Sequence, residues 1–240
     1  MGEVFNGDSG YVGSYQGSVT GLFNYPMYFT IKDVFGSGQS MYNIRNRYDE
    51  EAGKFQDIDA LGLFVDNHDN ARFLCSFGGN TSGFKSALTF GLTGRGIPFY
   101  YYGSEQAYGG CNDPGNRESL WNDMNTGSDI YKMTAAINKA RKAHEVWNHP
   151  LEEKYVLDNV YAFNRGDMLV ALTNHNDQAQ FSPEAPWSEG TQVCNIFYPD
   201  SDCQSVQGGK INITLMNGES KIYVPKGSSF FDEETEIVQA

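Results

Sequence analysis

The chain has 240 residues, 40% hydrophobic and 20% charged, a globular composition whose length suits one or two domains. Its net charge of −13 excludes a reader of the phosphate backbone, which needs clustered Lys and Arg, so no nucleic-acid partner is expected. No apolar run approaches the roughly 18 residues of a membrane span, so no membrane partner is expected either.

In chain order, Met1–Phe5 looks like the end of a strand with no strand before it, as if the chain began inside a larger fold. Residues 7–20 are rich in Gly and Ser and read as loop. "FNYPMYFTIKDVF" at 23–35 has helical spacing after Pro26, a residue suited to a first helical turn, and a looser amphipathic stretch follows over 40–47. Residues 60–65, "ALGLFV", form a short apolar run that predicts a buried strand. It stops abruptly at five polar residues, Asp66-Asn67-His68-Asp69-Asn70.

Phe84, Ala87, Leu88 and Leu92 recur at helical spacing, which predicts a helix over 82–93 ending near Gly94 or Gly96. "IPFYYYG" at 97–103 reads as the next strand. Residues 104–127 are turn-rich and too long for a plain connection, a length that often carries function. Ser128 reads as the N-cap of a helix over 129–144, with Lys139, Arg141, Lys142 and His144 favouring its C-terminal end. Beyond Pro150 the pattern changes to strands and turns, with "NRGD" as a hairpin tip and "KINITLMNGESKIYVPKGSSFF" repeating the pattern. Alternating strand and helix over 1–149, then all-β over 150–240, is the expected organisation.

Cys75, Cys111, Cys194 and Cys203 have no zinc spacing and permit two disulfides; Cys194 and Cys203 could staple the ends of a hairpin. Two N-x-S/T triplets, at Asn80 and Asn212, fit a secreted protein.

In parallel α/β folds the chemistry sits on the loops that follow the strands. Three such loops collect polar residues: Glu3, Asn6 and Asp8; Asp66 to Asn70 with Arg72; and Glu105, Asp113 and Arg117. Two carboxylates and an imidazole from separate strands suit the oxocarbenium-like transition state of glycosidic cleavage. Phe5, Tyr11, Tyr15, Tyr108 and Trp121 offer platforms for sugar faces. Taken singly, a His-Asp step is more often a turn than a site, and Arg117 would be a surface ion pair.

"GEVFNGD" at 2–8, "GLFVDNHDNARF" at 62–73, "GIPFYYYGSEQAYGG" at 96–110 and "NDPGNRESLW" at 112–121 resemble, in order and spacing, consecutive segments of the α-amylases of glycoside hydrolase family 13, fungal ones above all. The resemblance implies an α/β fold: a partial (β/α)8 TIM barrel, strands five to eight, over 1–149, and an all-β antiparallel C-terminal domain over 150–240. It implies Glu3 as general acid/base, Asp69 as transition-state stabiliser, and His68, Asp113 and Arg117 as substrate-binding residues. Asn6 stands where the fungal pattern has Asp, and Glu105 is expected to be mainly structural. The implied activity is endo-hydrolysis of α-1,4 bonds in starch or maltooligosaccharides, with retention, by a secreted enzyme. The rival readings are a family 13 glucanotransferase and a non-catalytic glucan-binding module.

The family's nucleophile lies in an Arg-x-Asp motif about one β/α unit before the acid/base. Here Arg-x-Asp occurs at Arg47-Tyr48-Asp49 and at Arg165-Gly166-Asp167, the latter in the β region, and both come after Glu3 rather than before it. The chain is therefore expected to be inactive alone, with the N-terminal half of the barrel as its partner. Calcium is expected for the full-length enzyme, with no metal ligand in this chain. The positions of a fungal disulfide lack Cys, so Cys75 and Cys111, which follow adjacent barrel strands, are expected to pair instead.

Overall fold

A computed structural model describes residues 1–232; residues 233–240 of the expected β region lie outside the described residues. Asp8 accepts from the Tyr11 N–H at 2.6 Å and caps α1 (Ser9–Gly13), a short helix inside the stretch that reads as loop. A four-atom carboxylate cap suffices where no apolar period is visible. Asn24 caps α2 (Tyr25–Ile31), which opens with Pro26 as expected and runs on into a single π-helical turn, Lys32–Gly36. The looser amphipathic stretch is α3 (Tyr42–Ala52).

Strands thread between these helices. Gly2 pairs in parallel with Leu22, Phe23 with Gly62, and β1 (Gly62–Leu63) with β2 (Ile97–Pro98). The ladder is continuous: the Gly2 N–H donates to Gly21 O at 2.8 Å, the Gly62 N–H to Leu22 O at 2.8 Å and the Phe99 N–H to Leu63 O at 2.7 Å. The segment at Gly21–Phe23, too short to show a period, is not legible in the sequence. Both predicted strands also shrink, from 60–65 to Gly62–Leu63 and from 97–103 to Ile97–Pro98. Phe64 and Val65 are buried by side-chain packing instead; the Phe64 ring stacks on Tyr28 at 4.9 Å. Among the described residues the ladder does not close: the Gly2 segment and β2 each have a single strand neighbour.

After β1 come α4 (Phe73–Ser76) and α5 (Thr81–Thr93), the latter capped by Asn80 and ending at Gly94 as predicted. After β2 the long loop is braced by 3-10 turns at Ser104–Gln106 and Leu120–Asn122. The predicted cap then appears: Ser128 Oγ accepts from the Tyr131 N–H at 3.2 Å and starts α6 (Asp129–Ala143).

The remainder is antiparallel. β3 (Leu151–Leu157), β4 (Val160–Arg165), β5 (Met168–Thr173), β6 (Ala179–Phe181), β7 (Gln192–Asn195), β8 (Cys203–Ser205), β9 (Ile213–Leu215) and β10 (Lys221–Pro225) build a six-stranded sheet, order β3-β4-β5-β10-β7-β8, and a separate β6-β9 pair. The β4–β5 hairpin turns at Gly166, whose φ of +56° suits glycine. The two strands of "KINITLMNGESKIYVPKG" do not pair with each other; β9 joins β6, and β10 lies between β5 and β7.

The large sheet is covered on both faces. Tyr161, Phe163, Val170 and Leu172 pack with Phe84, Phe90 and Ile137 of the helices. Their neighbours Val160, Ala162, Leu169 and Ala171 pack on the other face with Phe181, Trp187 and Ile213. The period-2 alternation of strand side chains therefore reads as an unbroken buried run. The helical and β portions thus share one core. Disulfides Cys75–Cys111 and Cys194–Cys203 are both formed, as the sequence led us to expect.

Candidate active site

The polar tip after β1 is organised by two side chains, the carboxylate of Asp66 and the carboxamide of Asn67. Asp66, buried, accepts from the Phe73 N–H at 2.7 Å with one oxygen and from Ser104 Oγ at 3.1 Å with the other, tying the tip to α4 and to the turn after β2. Burial pushes its carboxyl up, against the pull of the Phe73 N–H and the Arg72 guanidinium. Asn67 Oδ1 accepts from the backbone N–H groups of Asp69 at 3.2 Å and Asn70 at 2.9 Å. That Asx turn projects His68 and Asp69 outward, both exposed, with His68 Nε2 3.3 Å from Asp69 Oδ2.

Glu3 arrives from the Gly2 edge of the ladder, two strands away from β1. Its Oε1 accepts from the Tyr25 hydroxyl at 2.5 Å, and the same hydroxyl accepts from Asn67 Nδ2 at 2.9 Å. Tyr25 is 1% exposed; burial, then its donation to Glu3, pushes its hydroxyl well above the ordinary phenol range, so it keeps its proton at neutral pH. Glu3, Tyr25, Asn67 and His68 line one open cleft of about 160 Å³ floored by Phe23, Phe64 and Phe99.

Arg117 joins the third loop to this tip. Its Nη2 lies 3.2 Å from Asp113 Oδ2 and 3.6 Å from Asp69 Oδ1, while its Nε donates to the His68 carbonyl at 3.1 Å. His68, Asp69, Asp113 and Arg117 are thus joined by direct contacts, and Glu3 is linked to them through Tyr25 and Asn67. Asn6 serves a local turn instead, accepting from the Asp8 N–H at 2.8 Å. The Glu105 carbonyl accepts from Ser128 Oγ at 2.8 Å at the head of α6.

Contacts that sequence reasoning missed hold this arrangement. Arg72, wholly buried, donates from Nε to Glu118 Oε2 at 2.7 Å and from Nη2 to the Tyr102 carbonyl at 3.0 Å, with its guanidinium 4.4 Å from the Tyr101 ring centroid. Glu118 Oε1 in turn accepts from the Gly110 N–H at 2.6 Å. A Cβ at Gly110 would sit 1.9 Å from the Gly115 carbonyl oxygen, so only glycine allows this closure. Arg72 stands two residues beyond the polar block and Glu118 directly after Arg117, but nothing local marks them as a pair.

The alpha-amylase catalytic-domain model matches residues 1–156. The chain belongs to the alpha-amylase family. It is 38% identical over 237 residues to a beta/alpha-amylase of Paenibacillus polymyxa, covering 93% of this chain and 19% of that protein. It is 32% identical over 236 residues to an alpha-amylase of Saccharomycopsis fibuligera, covering 94% and 47%. The solved alpha-amylase of Malbranchea cinnamomea superposes with a TM-score of 0.87 at 30% identity, covering 95% of this chain and 52% of that one. The chain therefore spans about a fifth to a half of the length of these relatives. Among the described residues no group of three or more His, Cys, Asp or Glu side chains is placed to hold a metal ion, so the calcium implied by the resemblance has no ligands assigned here.

Proposed function

We propose that residues 1–149 are strands five to eight of an α-amylase (β/α)8 barrel, that 150–240 are its antiparallel C-terminal domain, and that the cleft is one half of a retaining, endo-acting α-1,4-glucan hydrolase site. One observation carries this reading: Glu3 and the Asp69 tip, from separate strands of the parallel ladder, meet at one cleft through Tyr25 and Asn67. Glu3 protonates the departing glycosidic oxygen and later takes the proton of the attacking water. Asp69 faces the ring as positive charge develops, and His68, Asp113 and Arg117 hold sugar hydroxyls.

Retention needs a nucleophilic carboxylate about 5–5.5 Å from the acid. The other carboxylate lining the cleft, Asp66, is buried with both oxygens committed, which disqualifies it. The nucleophile, by this reading, comes from a further β/α half docking on the open ladder, where Met1, Ile97 and Phe99 are 53%, 45% and 40% exposed. Secretion into an oxidising compartment fits the two disulfides.

The test is starch hydrolysis by the 240-residue chain alone and by a polypeptide joining it to a nucleophile-bearing half. The chain alone should release no reducing ends; the joined enzyme should cut internal bonds with the α-anomer retained, and Glu3→Gln should abolish this. Turnover by the chain alone, or a joined enzyme indifferent to Glu3→Gln, overturns the proposal. Products longer than the substrate would instead mark a glucanotransferase.

A further inference from the structure

Asn116 is 0% exposed and sits in the turn between Asp113 and Arg117. Its own backbone is held on both sides: its N–H donates to the Asn112 carbonyl at 2.9 Å, and its carbonyl accepts from the Tyr101 hydroxyl at 3.3 Å. Its Nδ2 reaches across to the polar tip and donates twice, to the carbonyls of His68 and Asn70, each at 2.9 Å. Its Oδ1 is buried without a partner among the described residues. A buried amide oxygen left unsatisfied costs free energy. The side chain accepts that cost in the orientation that serves the tip.

From this we infer that Asn116 is a positioning residue: its amide clamps the backbone on both sides of Asp69 and makes the 66–70 tip and the 113–117 loop one rigid glucan-holding surface. The inference rests on the proposed glucan site. The clamp acts on the carbonyls that flank Asp69, so it sets the direction of both His68 and Asp69 without touching sugar. Arg117 Nε shares the His68 carbonyl, but among the described residues Asn116 Nδ2 is the donor recorded for the Asn70 carbonyl. Preorganisation of this kind lowers the ordering cost that a ligand must otherwise meet on binding.

The experiment compares the 240-residue chain with Asn116→Leu, close in size, and Asn116→Ser, which can serve one carbonyl at most. Two readouts are taken: calorimetric binding of maltoheptaose, and amide hydrogen exchange by NMR at Asp69, Asn70 and along α5. Both variants should bind maltoheptaose about tenfold more weakly, as expected for a lost buried hydrogen bond, and Asp69 and Asn70 should exchange faster while α5 keeps its protection. Parent-like exchange at Asp69 and Asn70 overturns the inference, and so does protection lost along α5 as well, which would make Asn116 a general structural support. Parent-like maltoheptaose binding in both variants overturns it too. A parent that binds no maltoheptaose counts against the glucan reading itself, and the exchange rates then decide the clamp separately.

Discussion

Glu3 and Asn67 meet on a single phenol: the Tyr25 hydroxyl donates to one at 2.5 Å and accepts from the other at 2.9 Å. The phenol is buried and keeps its proton, so one oxygen of Glu3 is permanently engaged. Among the described residues the other oxygen has no recorded hydrogen bond, which leaves it open for the proton transfer proposed above. The ring therefore fixes Glu3 against the tip that carries Asp69.

Tyr25→Phe should leave binding nearly intact and damage the chemical step. In an active assembly containing these residues, kcat on maltoheptaose should fall by about 10- to 100-fold with KM little changed, the signature of lost preorganisation. Steady-state kinetics check it; an unchanged kcat would show that Glu3 needs no such support.

Arg72→Met should be among the most costly single changes in the helical portion. It removes a wholly buried guanidinium and strands Glu118, whose two oxygens serve Arg72 and the Gly110 N–H. Breaking one side of such a pair costs roughly 3–5 kcal/mol, whereas a loose exposed pair such as Lys85–Asp129, at 3.9 Å, should cost under about 1 kcal/mol. Urea unfolding of Arg72→Met and Lys85→Ala compares them directly.

Glu51 gives the fold a pH dependence. It is 0% exposed, neither carboxylate oxygen has a well-formed hydrogen bond among the described residues, and burial pushes its carboxyl up to about 7 against the weaker pull of nearby Asn24 and Arg47. The folded state holds this proton more tightly than the unfolded chain, where the carboxyl titrates near 4.5. Its contribution to stability is full below about 4.5 and is lost as pH rises through about 7. Glu51→Gln should flatten that slope and be more stable than the parent above this window, by on the order of 3 kcal/mol. Thermal unfolding of both proteins from pH 4 to 8.5 (about the accessible range for such carboxyl linkage) tests the sign.

The two disulfides should differ in worth because they close loops of different length. Cys75–Cys111 spans 36 residues and Cys194–Cys203 spans 9. Chain-entropy reasoning gives roughly 4 kcal/mol for the first and roughly 2.5 kcal/mol for the second. Replacing each pair by Ser and comparing urea midpoints should show the larger loss for the Cys75–Cys111 pair.

What the sequence determined by itself was local. Pro26, the Ser128 cap, the stop at Gly94 and the change of period after Pro150 depend on neighbours a few residues away. The abrupt polar block is enough to place His68 and Asp69 at a strand tip. Tertiary structure alone decided the rest. Tyr25 lies 22 residues from Glu3 and 42 from Asn67, and Asn116 lies 48 from His68. Nothing in the period or capping of a chain specifies hydrogen bonds across such separations; they exist because the parallel ladder stacks its loops at one end. The same holds for β9 and β10, adjacent in sequence but drawn into different sheets by two apolar faces that each needed covering.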